Sequence, residues 1–299
     1  MKLPFRVIIA VIILSGFIPA SSGYPSPDER AEKEKPVVSF GLIPLYTPRI
    51  MYERFQPLMD YLSANTPYKF RMKLTKDYNG IITLLKNDSI DIALLGGVTY
   101  IVAGGRAKLI PLLKPLDARG KPFYRSVIIT RDDNTIKSIH DIRGRSFAFA
   151  SRWSTSGSMV PLYNLYFHGI ELRDLSRYSY LKHQDSVIRE VLKGNYDAGA
   201  VMDNILHAYK DKGLRIVFTS EPVPELIIVA RKGMPRNILD STKKALLALS
   251  AKDQAHMEIL RGWAEDIRYG FVEADDPDFD GIRSMMDYLN GKGIYVGKD

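Results

Sequence analysis

Residues 145–167, RSFAFASRWSTSGSMVPLYNLYF, contain a strand, a hydroxyl-rich turn and a helix in succession. The apolar residues 147–150 predict a buried strand, and apolar residues at helical spacing then predict a helix: Met159, Leu162, Tyr163 and Tyr166. Between them, Ser154-Thr155-Ser156-Gly157 combines hydroxyl side chains with the unpaired N–H groups and positive dipole end of a helix start. The run predicts either an ordinary helix cap, since Ser and Thr are common capping residues, or a binding site for an oxyanion.

The segments on both sides of this turn alternate between short apolar strands and helices. Strands are predicted at 37–43, 68–74, 90–95, 126–130, 147–150, 198–201, 216–219 and 226–230. Helices are predicted at 50–62, 79–86, 139–142, 158–167, 186–192, 238–249, 254–263 and 281–289. Short buried strands that alternate with helices favour an α/β fold with largely parallel sheets.

Two segments, 122–129 and 221–229, have the pattern of connections between lobes. Each combines a loop rich in proline and charge with an apolar strand. If both segments cross, residues 36–122 plus 229–299 form lobe 1 and residues 125–224 form lobe 2. An inserted lobe joined by two strands is a hinge geometry that closes around a ligand. One continuous sheet is the alternative, and the pattern favours two lobes.

The N-terminal segment predicts export. Lys2 and Arg6 precede a short apolar run at 7–18, and the small residues after that run offer a cleavage site. Residues 1–23 are therefore a predicted signal peptide. The apolar run is shorter than a membrane-spanning helix usually requires. The alternative to a cleaved signal peptide is an uncleaved N-terminal anchor. Residues 24–35 are polar and proline-marked, which predicts a flexible leader. The mature chain is expected to be a soluble exported protein of a bacterial type.

Composition narrows the possible partners. The chain of 299 residues has a net charge of +8, or +6 without Lys2 and Arg6, and the surplus is spread along the sequence. Nucleic-acid binding requires a basic stripe or a recognisable module, so no nucleic-acid partner is expected. A mild attraction for small anions is the stronger inference. The absence of cysteine excludes disulfides, a lipid-attachment cysteine, thiolate metal sites and cysteine nucleophiles.

Signatures of enzymes are absent from the sequence. The five histidines form no HxxxH or HExxH pair, so a zinc site is not expected. No G-x-S-x-G elbow, P-loop or G-x-G-x-x-G occurs. The run Asp275-Asp276-Pro277-Asp278 favours an exposed acidic turn over a cation site. The sequence therefore predicts a protein that is not an enzyme and needs no cofactor.

Two further turns resemble the Ser154 run in their position between a strand and a helix. Asp77-Tyr78-Asn79-Gly80 precedes a predicted helix, and Gly96-Gly97-Val98-Thr99-Tyr100 follows a predicted strand. The carboxyl ends of parallel strands face the ligand crevice in α/β sheets. Each turn alone is ordinary turn chemistry, but together they predict that N–H groups, hydroxyls and a phenol converge on one cleft.

The order of segments resembles the periplasmic phosphate/phosphite/phosphonate-binding proteins of ABC transporters. The resemblance covers nearly all of residues 37–290. It rests on these motifs: Phe40-Gly-Leu-Ile43, Asp77-Tyr78-Asn-Gly-Ile-Ile82, Asp91-Ile-Ala-Leu-Leu-Gly96, Tyr124-Arg-Ser-Val-Ile, Ser154-Thr155-Ser156-Gly157, His183 before a helix, Tyr196-Asp-Ala-Gly-Ala-Val, Pro222-Val-Pro-Glu225 and residues 270–283. It implies a two-lobed type II periplasmic-binding fold, with two mixed, mostly parallel sheets joined by two crossing strands.

The resemblance also implies a set of ligand-binding residues. The family's oxyanion contacts fall on Tyr78, Tyr124, Ser154, Thr155, Ser156 and His183. Asp203 and Glu225 lie near the positions where acidic residues meet the ammonium group of aminoalkyl ligands in relatives, although the match is approximate and Asp203 is shorter than the glutamate found there. A carboxylate in the cleft needs either a ligand cation, which favours an aminophosphonate, or a P–O–H group, which favours protonated phosphate over sulfate.

The function implied is that of a periplasmic solute-binding protein. It would capture a phosphorus oxyanion, close over it by hinge bending and deliver it to the membrane permease of an ABC importer. A monomer is expected, and a dimer is the alternative. Two rival functions keep the fold: the ligand-sensing component of a signalling system, with a membrane sensor as its partner, or a binder of another small anion such as a sulfonate. An enzyme on the same scaffold is a third, since fold does not determine function.

Overall fold

The computed structural model describes residues 34–209 and 211–297. The predicted signal peptide at 1–23 and residues 24–33 of the predicted leader lie outside the described residues. Within the two described ranges, no helix combines the length and apolarity needed to cross a bilayer.

The chain alternates between strands and helices along its length. The strands are β1 (Val37–Leu42), β2 (Lys69–Leu74), β3 (Ile92–Leu95), β4 (Ile110–Pro115), β5 (Phe123–Tyr124), β6 (Ser126–Arg131), β7 (Ser146–Phe149), β8 (Arg177–Tyr180), β9 (Ala198–Met202), β10 (Leu214–Thr219), β11 (Val223–Pro224), β12 (Ile227–Ala230) and β13 (Phe271–Glu273). The α-helices are α1 (Pro48–Asn65), α2 (Tyr78–Lys86), α3 (Gly97–Ala107), α4 (Val160–Phe167), α5 (Gln184–Leu192), α6 (Arg236–Leu247), α7 (Gln254–Leu260) and α8 (Asp280–Gly291). The predicted α/β class is confirmed.

The strands form two main sheets, ordered β13-β4-β12-β3-β1-β2 and β10-β6-β9-β7-β8. Both sheets are mixed, as predicted, but the expected predominance of parallel pairing is wrong. Parallel pairs link β1 to β2 and β3, and β7 to β8 and β9, whereas the remaining neighbours within both sheets are antiparallel. Strands β6 and β12, each of which follows a short crossing strand, run antiparallel to both of their neighbours and so account for four of the five antiparallel pairs that the described residues form in these sheets.

Two short strands, β5 and β11, form a separate two-stranded sheet, and each connects a strand of one main sheet to a strand of the other. Strand β5 connects β4 of the six-stranded sheet to β6 of the five-stranded sheet, and β11 connects β10 back to β12. The two strands pair antiparallel, with Val223 opposite Tyr124. The predicted pair of crossing strands is therefore present. The lobe limits at 36–122 plus 229–299 and at 125–224 stay predictions.

The centre of each sheet is fully buried. Strands β3, β7, β9 and β12 expose no residue, which explains why they are continuous apolar runs without alternation. The edge strand β2, by contrast, buries only Phe70 and half-buries Met72, and its other residues are exposed. Helices and connecting turns flank these central strands, so the strand ends that carry the Ser154 run and the Gly96 turn are supported by a rigid core.

Candidate ligand-binding site

The Ser154 run begins a widened helical turn directly after β7. Ser154 is the N-cap of a π-helical turn, Thr155–Met159, which continues into α4. Its Oγ accepts a hydrogen bond from the N–H of Gly157 at 3.1 Å, so the prediction of a helix cap is confirmed for Ser154. The π turn is closed by the N–H of Met159, which donates to the carbonyl of Ser154 at 3.0 Å. Because the first N–H groups of a helix lack intrahelical acceptors, the turn keeps donors for a ligand.

The same turn lines a small cavity of about 10 Å³, which is room for about one water molecule. Ser154, Thr155 and Ser156 are each at most 3 % exposed. The polar part of the wall is completed by Tyr78, Tyr124, Gln184 and Gly96, and the apolar part by Ile43, Leu45, Met202 and Leu226. We call this space the cradle. All three turns that the sequence predicted to converge contribute at least one residue to its wall.

Two buried tyrosines aim phenol groups at the Ser154 run. Tyr78 is the first residue of α2, whose N-cap Asp77 accepts from the N–H of Gly80 at 2.9 Å. The Tyr78 phenol hydrogen-bonds with Ser154, and burial raises its pKa above the usual value. Tyr124 lies on β5 and contacts Ser156 and Thr155, and burial together with the charge of Glu225 raises its pKa. Both phenols are therefore neutral donors at neutral pH.

The Thr155 hydroxyl joins the Ser154 run to the start of α3. Its Oγ1 accepts a hydrogen bond from the N–H of Val98 at 3.0 Å. Next to it, the hydroxyl of Thr99 donates to the carbonyl of Trp153 at 3.3 Å. These bonds connect the turn after β7 of one sheet with the turn after β3 of the other sheet, so the cradle is closed on this side.

Gln184 is a cradle residue that sequence reasoning missed. Its Nε2 donates to Ser156 Oγ at 3.3 Å, and its Oε1 accepts from the N–H of Met202 at 2.7 Å. It is 2 % exposed although it lies in the first turn of α5. A polar residue at a helix start is ordinary in sequence, so no pattern distinguishes Gln184 from an exposed residue.

His183, which the family resemblance assigned to the oxyanion, lies immediately before Gln184. It is the half-buried N-cap of α5, and its Nδ1 lies 3.1 Å from the carbonyl oxygen of Pro44. That contact ties α5 to the loop after β1. His183 is not part of the cradle wall in this conformation, and its contact with the ligand stays a prediction.

Asp203 and Glu225 line a second cavity of about 300 Å³ that shares Tyr124 with the cradle. Asp203 Oδ1 accepts from the N–H groups of Arg125 and Asn204 at 3.2 and 3.0 Å. Glu225 is 2 % exposed, and its Oε2 accepts from the N–H of Leu226 at 3.3 Å. Burial, followed by the charges of Asp266 and Asp203, raises the pKa of Glu225 well above its usual value.

The second cavity has an excess of negative charge. The cations at its edge serve other acids: Arg119 pairs with Asp117 at 2.7 Å, and Arg268 pairs with Glu265, which His207 approaches at 3.5 Å. Within the described ranges, Asp203 and Glu225 have no ion-pair partner. A ligand substituent that enters this cavity therefore meets two carboxyl groups that form no ion pair. Of these, Asp203 is within electrostatic reach of Arg119, and burial favours the neutral form of Glu225.

A third carboxyl group, Asp266, lies behind this region and was not predicted from the sequence. It is 2 % exposed, and its Oδ2 accepts from the Tyr46 hydroxyl at 2.7 Å. Burial raises the pKa of Asp266 to about 6. The residue lies between Glu265 and Ile267, and no motif in the sequence distinguishes it from an exposed carboxylate.

The groups that line the cradle are suited to an anion although none of them is cationic, and the space of about 10 Å³ has to widen to admit a phosphorus oxyanion. Hydroxyl, phenol and backbone N–H donors surround the space, and hydrogen bonds from such neutral donors to an anion are charge-assisted. The dipole of the helical turn adds positive potential at the same end. Two mixed sheets, a crossing ladder and a buried hydroxyl cradle between them define a solute-binding protein with the type II periplasmic-binding fold.

Comparison with known proteins agrees with this class. The structure of PhnD1 from Prochlorococcus marinus in complex with methylphosphonate superposes with a TM-score of 0.76 at 21 % identity, over 86 % of this chain and 99 % of that one. Residues 40–279 match the family model described as ABC transporter, phosphonate, periplasmic substrate-binding protein. The chain belongs to this family, which places it in the periplasm as the binding component of an ABC transporter.

Two curated relatives cover nearly the same span. The chain is 26 % identical over 294 residues to the phosphate-import protein PhnD of Mycolicibacterium smegmatis, covering 90 % of this chain and 91 % of the relative. It is 24 % identical over 281 residues to the phosphonates-binding periplasmic protein of Escherichia coli, covering 90 % and 81 % respectively. The names of these two relatives differ in the oxyanion, although both oxyanions contain phosphorus.

Proposed function

We propose that the protein binds a phosphorus oxyanion in the cradle and delivers it to the permease of an ABC importer. The observation that carries the proposal is the convergence of the Ser154 run with two neutral phenols in one buried space, in a chain of the phosphonate-binding family. Each hydrogen bond to the charged ligand contributes roughly 1.5–3 kcal/mol. Tyr78, Tyr124, Ser154, Thr155 and Ser156 are the proposed first contacts, and His183 joins them when the ligand is bound.

The substituent of the ligand is proposed to enter the second cavity. Asp203 and Glu225 form no ion pair among the described residues, so an ammonium group on the ligand would pair with them. Glu225 has a raised pKa because it is buried, and an arriving cation would favour its ionised form. We therefore propose an aminoalkyl phosphonate as the preferred ligand, with protonated phosphate as the alternative that donates a P–O–H bond.

The remaining properties follow from this role. The protein is proposed to be exported by cleavage of residues 1–23 and to act as a monomer without enzymatic turnover or nucleic-acid binding. Residues 36–122 plus 229–299 and residues 125–224 are proposed to act as lobes that close by bending at β5 and β11. Delivery to an importer, rather than to a membrane sensor, is favoured by the family assignment.

Isothermal titration with a panel of anions tests the ligand class. Phosphate, phosphite, methylphosphonate and 2-aminoethylphosphonate are titrated beside sulfate and an alkylsulfonate. At least one phosphorus compound is expected to bind more tightly than either sulfur compound.

The variants Tyr78→Phe and Tyr124→Phe test the site. Each lost hydroxyl is expected to weaken binding about tenfold or more, since a loss of about 1.4 kcal/mol of binding free energy corresponds to tenfold in affinity.

Tyr68→Phe is the matched control for these variants. Tyr68 is also buried, but its hydroxyl accepts from Asn237 at 2.6 Å rather than facing the cradle. The control is expected to bind like the unmodified protein. Binding of sulfonate alone would contradict the proposed ligand class, and full affinity in both Tyr78 and Tyr124 variants would contradict the proposed site.

A further inference from the structure

A third cavity, of about 640 Å³, lies beside the second cavity and contains none of the residues proposed to bind the oxyanion. Residues 116–120, residues 249–252, helix α7 and the segment 268–271 contribute to its wall, and we call it the distal pocket. It adjoins the second cavity along residues 116–119 and Tyr269, which line both spaces. Its volume falls within the range of roughly 300–1,000 Å³ that is usual for small-molecule sites.

The floor of the distal pocket is apolar and is held in place by backbone hydrogen bonds. Leu249 and Phe271, which line the pocket, are 3 % and 6 % exposed. The N–H of Leu116 donates to the carbonyl of Gly270 at 2.9 Å, and Ser250 pairs with Gly270 in an antiparallel bridge. These bonds fix three separate chain segments relative to one another, so the floor is preformed.

Helix α7 presents both apolar and charged groups to the distal pocket. Met257, Leu260 and Arg261 are three and four residues apart, so they lie on one face of the helix, and all three line the pocket. Leu260 is buried, whereas Met257 is 46 % exposed. A half-exposed methionine beside a buried leucine provides an adaptable apolar surface.

Some of the charges around the distal pocket are already paired. Among the described residues that line it, Asp117 is the only carboxylate. It pairs with Arg119 at 2.7 Å and also accepts from the N–H groups of Arg119 and Lys121 at 2.9 and 2.8 Å. Arg268 pairs with Glu265, which belongs to the second cavity. Neither Arg119 nor Arg268 therefore requires a further anion.

Two other cations at the edge of the pocket have no such partner. Lys252 and Arg261 are exposed, and neither forms an ion pair within residues 34–209 and 211–297. Glu258 precedes Arg261 by one turn of α7, but the two side chains do not pair. The distal pocket therefore combines an apolar floor with two positive charges that the described part of the chain leaves uncompensated.

We propose that the distal pocket is a second binding site, which takes an amphipathic anion. The apolar body of this ligand, aromatic or aliphatic, covers the floor at Leu249, Leu260 and Phe271, and its carboxylate or sulfonate lies against Lys252 and Arg261. Burial of the apolar body is the main favourable contribution, and the two cations select an anionic head group over a cationic one. The inference does not rest on the proposed function, since every residue that carries it lies outside the cradle.

Fluorescence titration with 8-anilinonaphthalene-1-sulfonate, an aromatic anion, tests the proposal on the full chain. The probe is expected to bind saturably, and the double variant Lys252→Ala/Arg261→Ala is expected to bind it about tenfold more weakly. Lys86→Ala/Lys232→Ala is the control, because it makes the same change in net charge at exposed lysines outside the pocket. Equal weakening in both double variants, or in neither, overturns the inference.

A second pair of variants tests the apolar contact. Met257→Ser is expected to weaken binding of the probe about threefold, because it removes apolar surface from the pocket wall. Ile259→Ser is the control, since Ile259 is 42 % exposed on the same helix but does not line the pocket. Equal affinity of these two variants would contradict the assignment of the probe to the distal pocket.

Competition determines the head group and separates this site from the proposed oxyanion site. Octanoate is expected to displace the probe, whereas octylammonium, which has the same chain and the opposite charge, is not. Equal effects of the two overturn the proposed selectivity. Displacement of the probe by 2-aminoethylphosphonate would place it in the second cavity and overturn the inference. If no phosphorus compound binds, the proposed function fails, and the variants still decide whether the distal pocket is a site.

Discussion

Tyr78 and Tyr124 carry protonated phenols at neutral pH, so each of them can donate a hydrogen bond to an anion. Burial disfavours the phenolate and raises the pKa of both groups further. Tyr124 adds a second effect, because the carboxyl group of Glu225 disfavours a negative phenolate. The cradle thus has donors for an oxyanion without a lysine or arginine, whose positive charge would attract anions without distinguishing between them.

At the scale of single residues, Asp203 and Glu225 are expected to decide between ligands of the same charge class. In Asp203→Asn and Glu225→Gln the affinity for 2-aminoethylphosphonate should fall about tenfold or more relative to methylphosphonate, since each variant removes one charge partner of the ammonium group. The ratio of the two dissociation constants, measured by calorimetry, is the readout. Asp117→Asn is the control, because Asp117 lines the same cavity but is paired with Arg119. Equal weakening of both ligands would argue against the assignment.

Residue identities in the site were predictable only where a motif carried them. Recognisable motifs contain Tyr78, Tyr124, Ser154, Thr155 and Ser156, and all five line the cradle. Gln184 and Asp266 were missed because burial of a polar side chain depends on tertiary packing and leaves no mark in the local sequence. Gln184, the residue after His183, is the one whose side chain reaches the cradle, since a helix start presents successive residues in different directions.

Among the elements, the π turn Thr155–Met159 combines a helix start with a tight approach to the preceding strand. A Cβ atom on Gly157 would lie 2.4 Å from Ala150 Cβ and 3.1 Å from Ser154 Oγ. The turn can therefore fold against the end of β7 only with glycine at this position. The carbonyl of Gly157 also accepts from the N–H of Ala150 at 2.8 Å, which anchors the turn to the strand.

Gly157→Ala is expected to displace the turn and to weaken ligand binding by more than tenfold, because the donors of Ser154 and Ser156 would move together. Calorimetry measures the affinity, and thermal unfolding measures the accompanying loss of stability. Gly104→Ala in α3 is the control, since its Cβ would meet no atom within 4 Å. In a helix interior that substitution is expected to stabilise the protein by up to about 1 kcal/mol. Unchanged affinity in Gly157→Ala would show that the turn geometry tolerates a shift.

Elements with strong periodicity were predicted to within a few residues, and those held by tertiary contacts were not. Residues 96–100 were predicted as a turn, whereas α3 extends from Gly97 to Ala107 despite its glycines. Gly97 packs against α8, where a Cβ would lie 2.3 Å from Ile282 Cδ1, so tertiary packing overrides the low helix propensity. Strands β4, β8 and β13 were not predicted, since β4 is bounded by prolines and β8 is polar.

The whole molecule joins its two sheets through contacts at the cradle as well as through the crossing ladder. The bond from the Val98 N–H to Thr155 Oγ1 and the contact between His183 and Pro44 both link segments of different sheets. Thr155 therefore has two proposed roles, as a ligand contact and as a bond between the lobes. The general architecture was predictable from alternation and from the two crossing segments, but these contacts depend on how the lobes meet.

Ligand binding is expected to make the molecule more compact. Small-angle scattering should give a smaller radius of gyration when the best ligand of the panel is saturating.

Thr155→Val removes the acceptor for the Val98 N–H and is expected to weaken binding about tenfold, whereas Thr155→Ser keeps the acceptor and should bind nearly as tightly. A radius unchanged by ligand would contradict the proposed closure, and equal affinity of the two variants would contradict the role of this bond.

The crossing ladder has a consequence for how such a protein can change over generations. Tyr124 lies on β5, and Glu225 directly follows β11, so two proposed ligand contacts are attached to the strands about which the lobes are proposed to bend. A substitution that adapts the site to a new substituent at either position also alters the angle of closure that a permease meets. Selectivity for nutrients and compatibility with the import machinery are therefore inherited as one trait.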